Sequence, residues 1–203
     1  MKLGMIDYGR GNLRSVMNAC RALGHEPQIV TKRADFEELT HIIFPGQGAF
    51  GDCMESLARL DLIDPLRQWI EEDRPYLGIC VGFQLLFCSS EESPGVAGLG
   101  VISGDCKRFI SSNVKIPHMG WNNVQLSNSQ SRYWQELTED PYFYFVHSFY
   151  PIAENESDVA ATCHYGDERF CAAIERGNLL ATQFHPEKSQ HRGLQLLENF
   201  LEA

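Results

Sequence analysis

The chain has 203 residues, 43% of them hydrophobic, enough to bury one full core. Its 17 Lys and Arg against 27 Asp and Glu give a formal net charge of −10, which argues against a protein that grips nucleic acid through its phosphate backbone. The opening MKLGMIDYGRGN meets Asp7 and Arg10 too soon for a signal peptide, and no run approaches the roughly 20 apolar residues of a membrane span, so a cytoplasmic protein is expected.

The first half alternates. Residues 2–6 read as a strand, 12–23 as a helix closed by Gly24, 27–31 as a second strand, and 41–44 as a short apolar strand ending in Pro45-Gly46. Residues 62–72 read as an amphipathic helix with Leu62, Leu66, Trp69 and Ile70 near one face. A strand over 76–79 and a helix over 82–88 follow. Such alternation predicts a parallel sheet with helices on both faces. From about Gly98 strand-like runs dominate, at 100–102, 106–109, 124–126, 142–146, 159–163, 170–175 and 179–183. Gly, Asn, Ser and Pro turns join them, which predicts added antiparallel pairing. A helix over 190–202 closes the chain, with Leu194, Leu197 and Leu201 on one stripe. No linker divides the halves. The expectation is one α/β domain over residues 1–203: a three-layer, mostly parallel sheet flanked by helices, with antiparallel strands added in the second half.

Seven cysteines are present and no two stand in a C-x-x-C pair. A disulfide framework and a zinc site are both unexpected, and no metal or other cofactor is called for. Most of these cysteines read as small buried hydrophobes. Cys80 differs. Gly78-Ile79-Cys80-Val81-Gly82 stands where a strand passes into a helix, the thiol version of a nucleophile elbow. The glycines two residues to either side remove the Cβ atoms that would clash in a tight bend. A helix starting there favours a thiolate and offers the Val81 N–H to an oxyanion.

A nucleophilic cysteine needs a base. Of seven histidines, His25 and His41 flank early strands and read as surface residues, and His164 and His191 lie in polar surroundings. His118 and His147 have more distinctive settings. His185 stands out, because an apolar strand ends in His185-Pro186-Glu187. Residues two apart in extended backbone point the same way, so Glu187 can orient the imidazole. The glycine loop Pro45-Gly46-Gln47-Gly48 ends another strand at the same sheet edge and can direct backbone N–H groups at an anion, but lacks the lysine and hydroxyl of a P-loop. Asp7-Tyr8-Gly9-Arg10-Gly11-Asn12 is a third glycine-rich turn. It misses the G-x-G-x-x-G spacing, and no ribose-binding acid ends the second strand, which excludes NAD.

With these pieces in place, the chain resembles the glutaminase subunits of imidazole glycerol phosphate synthase, within the class I (triad) glutamine amidotransferases. The resemblance covers essentially the whole chain. It rests on DYGRGNLRSV at 7–16, PGQGAF at 45–50, GICVGFQLLF at 78–87, IPHMGWN at 116–122, YFVHSFY at 144–150 and QFHPEKS at 183–189. It implies a flavodoxin-like fold, with Cys80 as nucleophile, His185 as general base and acid, and Glu187 as orienter. It implies an oxyanion hole from the Val81 N–H and a peptide in the Gln47-Gly48 loop, which is expected to rearrange when a partner is occupied. Gln84, Gly48 and the backbone at Ser148 and Phe149 are implied to hold glutamine. Asn12, Trp121, Tyr144 and Lys188 match positions near a synthase interface. The implied partner is a (β/α)8-barrel cyclase that receives ammonia through a tunnel in a heterodimer of histidine biosynthesis. Two places depart from the family pattern: Gln47 replaces the valine of PGVG, and Phe149 replaces the tyrosine of HSY. The alternatives are an amidotransferase subunit of another pathway, such as surface-sugar amidation, and a free-standing cysteine hydrolase.

Overall fold

The computed structural model describes residues 1–9, 12–110, 112–137 and 140–203. In chain order, β1 (Leu3–Ile6) leads to α1 (Leu13–Ala22), β2 (Gln28–Val30) and β3 (His41–Gly46). Then come α2 (Phe50–Arg59), α3 (Ile63–Glu71), β4 (Tyr76–Cys80) and α4 (Val81–Gln84). The second half holds β5 (Ser89–Ser90), β6 (Gly104–Arg108), β7 (His118–Asn123), β8 (Gln125–Leu126), β9 (Tyr142–His147) and β10 (Phe149–Ala153). The chain finishes with β11 (Val159–Tyr165), β12 (Glu168–Arg176), β13 (Leu179–Thr182) and α5 (Gln190–Leu201).

The main sheet has eight strands in the order β2-β1-β3-β4-β13-β12-β11-β8. The first five are mutually parallel, and the last three are added antiparallel. Strands β1, β4 and β13 are buried at every position, as parallel strands covered on both faces must be, and they read as unbroken apolar runs rather than alternating ones. The chain steps from β1 outward to β2, but from β3 to β4 in the opposite direction. Right-handed crossovers of opposite direction put α1 on one face and α2 and α3 on the other. Helix α5 packs against α1. Two smaller sheets, β10-β6-β5 and the antiparallel ribbon β7-β9, stand beside the main one.

The parallel first half, the antiparallel additions and the closing helix agree with the sequence expectation. Four elements were not expected: α2, β5, β7 and β10. Helix α2 buries Phe50, Cys53, Met54 and Leu57 on one stripe. Its first N–H groups are satisfied from far away in sequence: Phe50 N donates to Glu92 Oε2 at 2.7 Å and Gly51 N to Ser93 Oγ at 2.9 Å.

Three expectations need correction. The helix expected over 82–88 is a single turn, Val81–Gln84. Downstream carbonyls are taken by an incoming loop instead: Leu99 N donates to Leu85 O at 2.7 Å, Gly100 N to Phe87 O at 3.1 Å and Val101 N to Leu86 O at 2.9 Å. The same bonds explain why residues 100–102 form no strand. His41 is half-buried rather than superficial, its ring set edge-on to Phe200 at 5.8 Å. Of the glycine turn at 7–12, Arg10 and Gly11 lie outside the described residues.

Candidate active site

Strands β3, β4 and β13 are neighbours and parallel, so their carboxyl ends bring Gln47-Gly48, Cys80 and the His185 segment to one edge. Cys80 sits at φ 55°, ψ −108°, a left-handed conformation that a side-chain-bearing residue adopts only under strain. The bend is held by close backbone packing: a Cβ on Gly82 would stand 2.0 Å from the Phe44 carbonyl oxygen. Strand β3 therefore presses directly on the elbow, and only glycine admits that approach.

His185 follows the last strand. Its backbone N–H donates to the Tyr144 carbonyl of β9 at 2.9 Å, and its carbonyl accepts from Ser189 Oγ at 2.7 Å. Phe184, before it, stacks on Phe143 with centroids 3.9 Å apart. Helix α5 closes over the turn, and Gly193 makes that closure possible, because a Cβ there would stand 1.8 Å from the Pro186 carbonyl oxygen. Glu187 Oε1 lies 2.8 Å from His185 Nδ1, with both side chains almost wholly buried. Nδ1–H therefore donates to the carboxylate, which leaves Nε2 as the working nitrogen. Nε2 has no hydrogen-bond partner among the described residues. Burial opposes charge on the His185 ring, but the nearby Cys80 sulfur and the Glu187 carboxylate outweigh it and raise the imidazole well above its ordinary value. The ring therefore favours its charged form.

A cleft of about 250 Å³ opens over these groups, and its walls include Gln47, Gly48, Cys80, Val81, Gln84, Ser148, Phe149 and His185. Every residue assigned from sequence to catalysis, the oxyanion or substrate thus lines one cleft, except Glu187, which stands behind His185. A larger surface recess of about 430 Å³ at Phe36, Trp69 and Arg74 is lined by no cysteine, serine or histidine. The Gln47 N–H does not address the cleft: it donates to the Tyr8 hydroxyl at 3.0 Å. Tyr8 is fully buried and touches the Cys53 sulfur at 3.7 Å.

Comparison with known proteins settles the family. Residues 4–203 match the model for "Glutamine amidotransferase class-I". The chain belongs to the class I glutamine amidotransferases. It is a glutaminase by that membership. An imidazole glycerol phosphate synthase subunit HisH from Geobacter sulfurreducens is 44% identical over 98% of this chain and 97% of its own. One from Thermosynechococcus vestitus is 46% identical, over 98% and 95%. A chloroplastic hisHF protein of Arabidopsis thaliana is 45% identical over 97% of this chain, which there spans 33% of a longer protein. Among solved structures, PurLQS from Thermotoga maritima superposes with a TM-score of 0.78 at 20% identity, covering 99% of this chain and 97% of that one. That likeness bears on the fold alone.

Two features of the amidotransferase escape a motif reading. The first is a directed polar chain. The Phe149 carbonyl accepts from Gln84 Nε2 at 2.9 Å and from His147 Nδ1–H at 2.8 Å. A carbonyl only accepts, so His147 Nε2 is a lone pair, and it takes the His118 Nδ1–H at 3.0 Å. His118 Nε2 in turn faces Asn122 Nδ2 at 3.4 Å. Burial holds both rings neutral, lowering His118 to about 4 and His147 to about 3. On the other side, Gln84 Nε2 also donates to Gln183 Oε1 at 3.0 Å.

The second feature is the outer face of the β7-β9 ribbon. Register pairs Met119 with Val146 and Trp121 with Tyr144, so these four share one face. Met119 is 62% exposed and Trp121 46%, an apolar patch of the kind that marks a docking surface. Of the other positions matched to an interface, Asn12 and Lys188 are part-exposed, and α1 packs against the Pro186–Lys188 turn.

Proposed function

We infer that this amidotransferase is the glutaminase subunit of an imidazole glycerol phosphate synthase. The observation that carries the chemistry is the strained Cys80 beside a His185–Glu187 pair in one buried cleft; near-full-length identity to synthase subunits supports the pathway. The Cys80 sulfur attacks the side-chain carboxamide carbon of glutamine. The oxyanion is received by the Val81 N–H and a peptide of the Gln47-Gly48 loop. His185 Nε2 delivers its proton to the leaving nitrogen, and ammonia departs. Water, deprotonated by His185, then attacks the thioester carbon, releasing glutamate and restoring the thiol.

The partner is a cyclase subunit of (β/α)8-barrel form, docked on the Met119, Trp121 and Tyr144 face with Asn12 and Lys188 beside it, in the cytoplasm. The single hisHF chain of the plant relative supports that adjacency. Channelling has a physical reason: free ammonia is mostly protonated at neutral pH and loses its nucleophilic lone pair. The Gln47 N–H is bonded to Tyr8 in the resting arrangement, so partner binding completes the oxyanion hole by turning that peptide.

The test is Cys80→Ala assayed with the cyclase subunit and its nucleotide ligand. Glutamine-dependent turnover is expected to vanish while turnover with added ammonium salt persists. Loss of both contradicts the channelled mechanism. A cysteine hydrolase acting alone would instead show full glutamine turnover without any partner.

A further inference from the structure

Gln183 is a carboxamide with no exposed surface, placed at the end of an otherwise apolar strand. Burying an amide among apolar side chains is costly unless both of its ends are bonded. Both are bonded here. Its backbone N–H is anchored on the Ala172 carbonyl at 2.8 Å. Parallel register sets Thr182 opposite Ile79, which brings the next residue of each strand, Gln183 and Cys80, together. Its side chain reaches Gln84 at one end and the Cys80 sulfur at the other, with Nε2 3.7 Å from Sγ.

The orientation of that amide follows from the backbone. The Phe149 carbonyl demands a donor, so the Gln84 atom facing it is Nε2. That same nitrogen faces Gln183, so the Gln183 atom meeting it is Oε1. The remaining end, an N–H, therefore points at sulfur. A thiolate is an acceptor, and an N–H donor on its buried side favours the anion over the thiol.

We propose that Gln183 is a further catalytic residue of this reaction: its carboxamide donates a hydrogen bond to the Cys80 thiolate and ties the nucleophile to Gln84. The proposal rests on the reading of Cys80 as nucleophile. The thiolate then has two supports on different elements, the His185 imidazolium and the Gln183 N–H. Gln84, at the substrate wall of the cleft, communicates with the sulfur through one intervening amide.

The test is the rate of Cys80 alkylation by iodoacetamide against pH, followed by mass spectrometry of the Cys80 peptide. The Cys88→Ser background is used because Cys88 is exposed. The titratable groups that share the cleft with the sulfur are His185 with Glu187 behind it, His147 and Glu92, and Tyr8 lies beyond β1; all are unchanged in the variants. Gln183→Met keeps the volume and removes the donor. It is expected to move the rising limb of the profile up by about one pH unit, a roughly tenfold slower alkylation on that limb. Gln183→Glu keeps the shape and places a carboxylate near the sulfur, and is expected to move the limb further the same way. Thermal melts of both variants separate packing from chemistry: lost turnover or a lowered midpoint with an unshifted profile overturns the proposal. Glutamate release by Cys80→Ser serves as the control. If it persists at the wild-type rate, the nucleophile reading itself fails; if it vanishes while the Gln183 variants keep the wild-type profile, only this proposal fails.

Discussion

Acidification is the most informative perturbation of the fold, because the His118–His147 contact requires both rings to be neutral. Protonating His147 Nε2 would place its N–H against the His118 N–H across 3.0 Å, inside a site that burial already closes to charge. The folded values, about 4 and about 3, lie below the ordinary histidine value of about 6.5. Below that value the unfolded chain binds protons that the folded chain refuses, so stability falls with pH until the folded values are reached. Above about pH 7 the two histidines make no difference to the slope. Between about pH 7 and pH 5.5 each ring costs about 1.2 kcal/mol, about 2.5 kcal/mol for the pair. His185 works in the opposite direction, since its raised value adds stability as pH falls toward 6.5. It is common to wild type and variant, as is His41, and both cancel in a comparison. The assay is urea unfolding at the two pH values for wild type and for His118→Gln/His147→Gln. Wild type is expected to lose about 2.5 kcal/mol more than the double variant over this interval. Equal losses in the two proteins refute the argument, whatever the variant's stability at neutral pH.

Gly82→Ala drives a Cβ to 2.0 Å from the Phe44 carbonyl oxygen. It is expected to cost about 3 kcal/mol, to lower the melting midpoint by about 6 to 12 °C, and to abolish glutamate release. Tyr8→Phe removes the hydroxyl that accepts the Gln47 N–H. With one hydrogen bond worth about 1 kcal/mol, partner-free glutamate release is expected to rise about fivefold; an unchanged rate means the hydroxyl does not restrain the loop. Trp121→Ala, at a side chain 46% exposed, is expected to weaken cyclase binding by about 30-fold in a titration while leaving the melting midpoint in place.

The groups that the structure brings together at the candidate site were legible because each is written locally. The elbow is five consecutive residues, and His185 and Glu187 are two apart, so strand geometry alone brings them together. The parallel core was legible for a similar reason, since strands covered on both faces read as apolar runs. What stayed hidden depends on distant segments. Helix α2 begins where Glu92 and Ser93 supply its first acceptors, 42 residues downstream. The helix after Cys80 stops where residues 99–101 capture its carbonyls. Strands β7 and β10 carry Gly120 and Pro151, which mask a strand pattern until their partners are known. His118 and His147 stood out in sequence, but 29 residues separate them and only the ribbon register makes them a pair. Gln183 was legible only as the first letter of the QFHPEKS motif, because one glutamine in an apolar run says nothing about what it meets.

The β7-β9 ribbon is a two-stranded sheet of its own, tied to β11 by Asn122 Nδ2, which donates to the His164 carbonyl at 2.8 Å, and to β10 by His147, and it has two readable sides. Outward it shows Met119 and Trp121 to whatever docks. Inward it carries His118 and His147, and through them the carbonyl that also steadies Gln84. One layer of backbone thus separates the exposed apolar face from the carbonyl that Gln84 bonds. In the function proposed above, a partner seated on Met119 and Trp121 would lie across that single layer from the cleft.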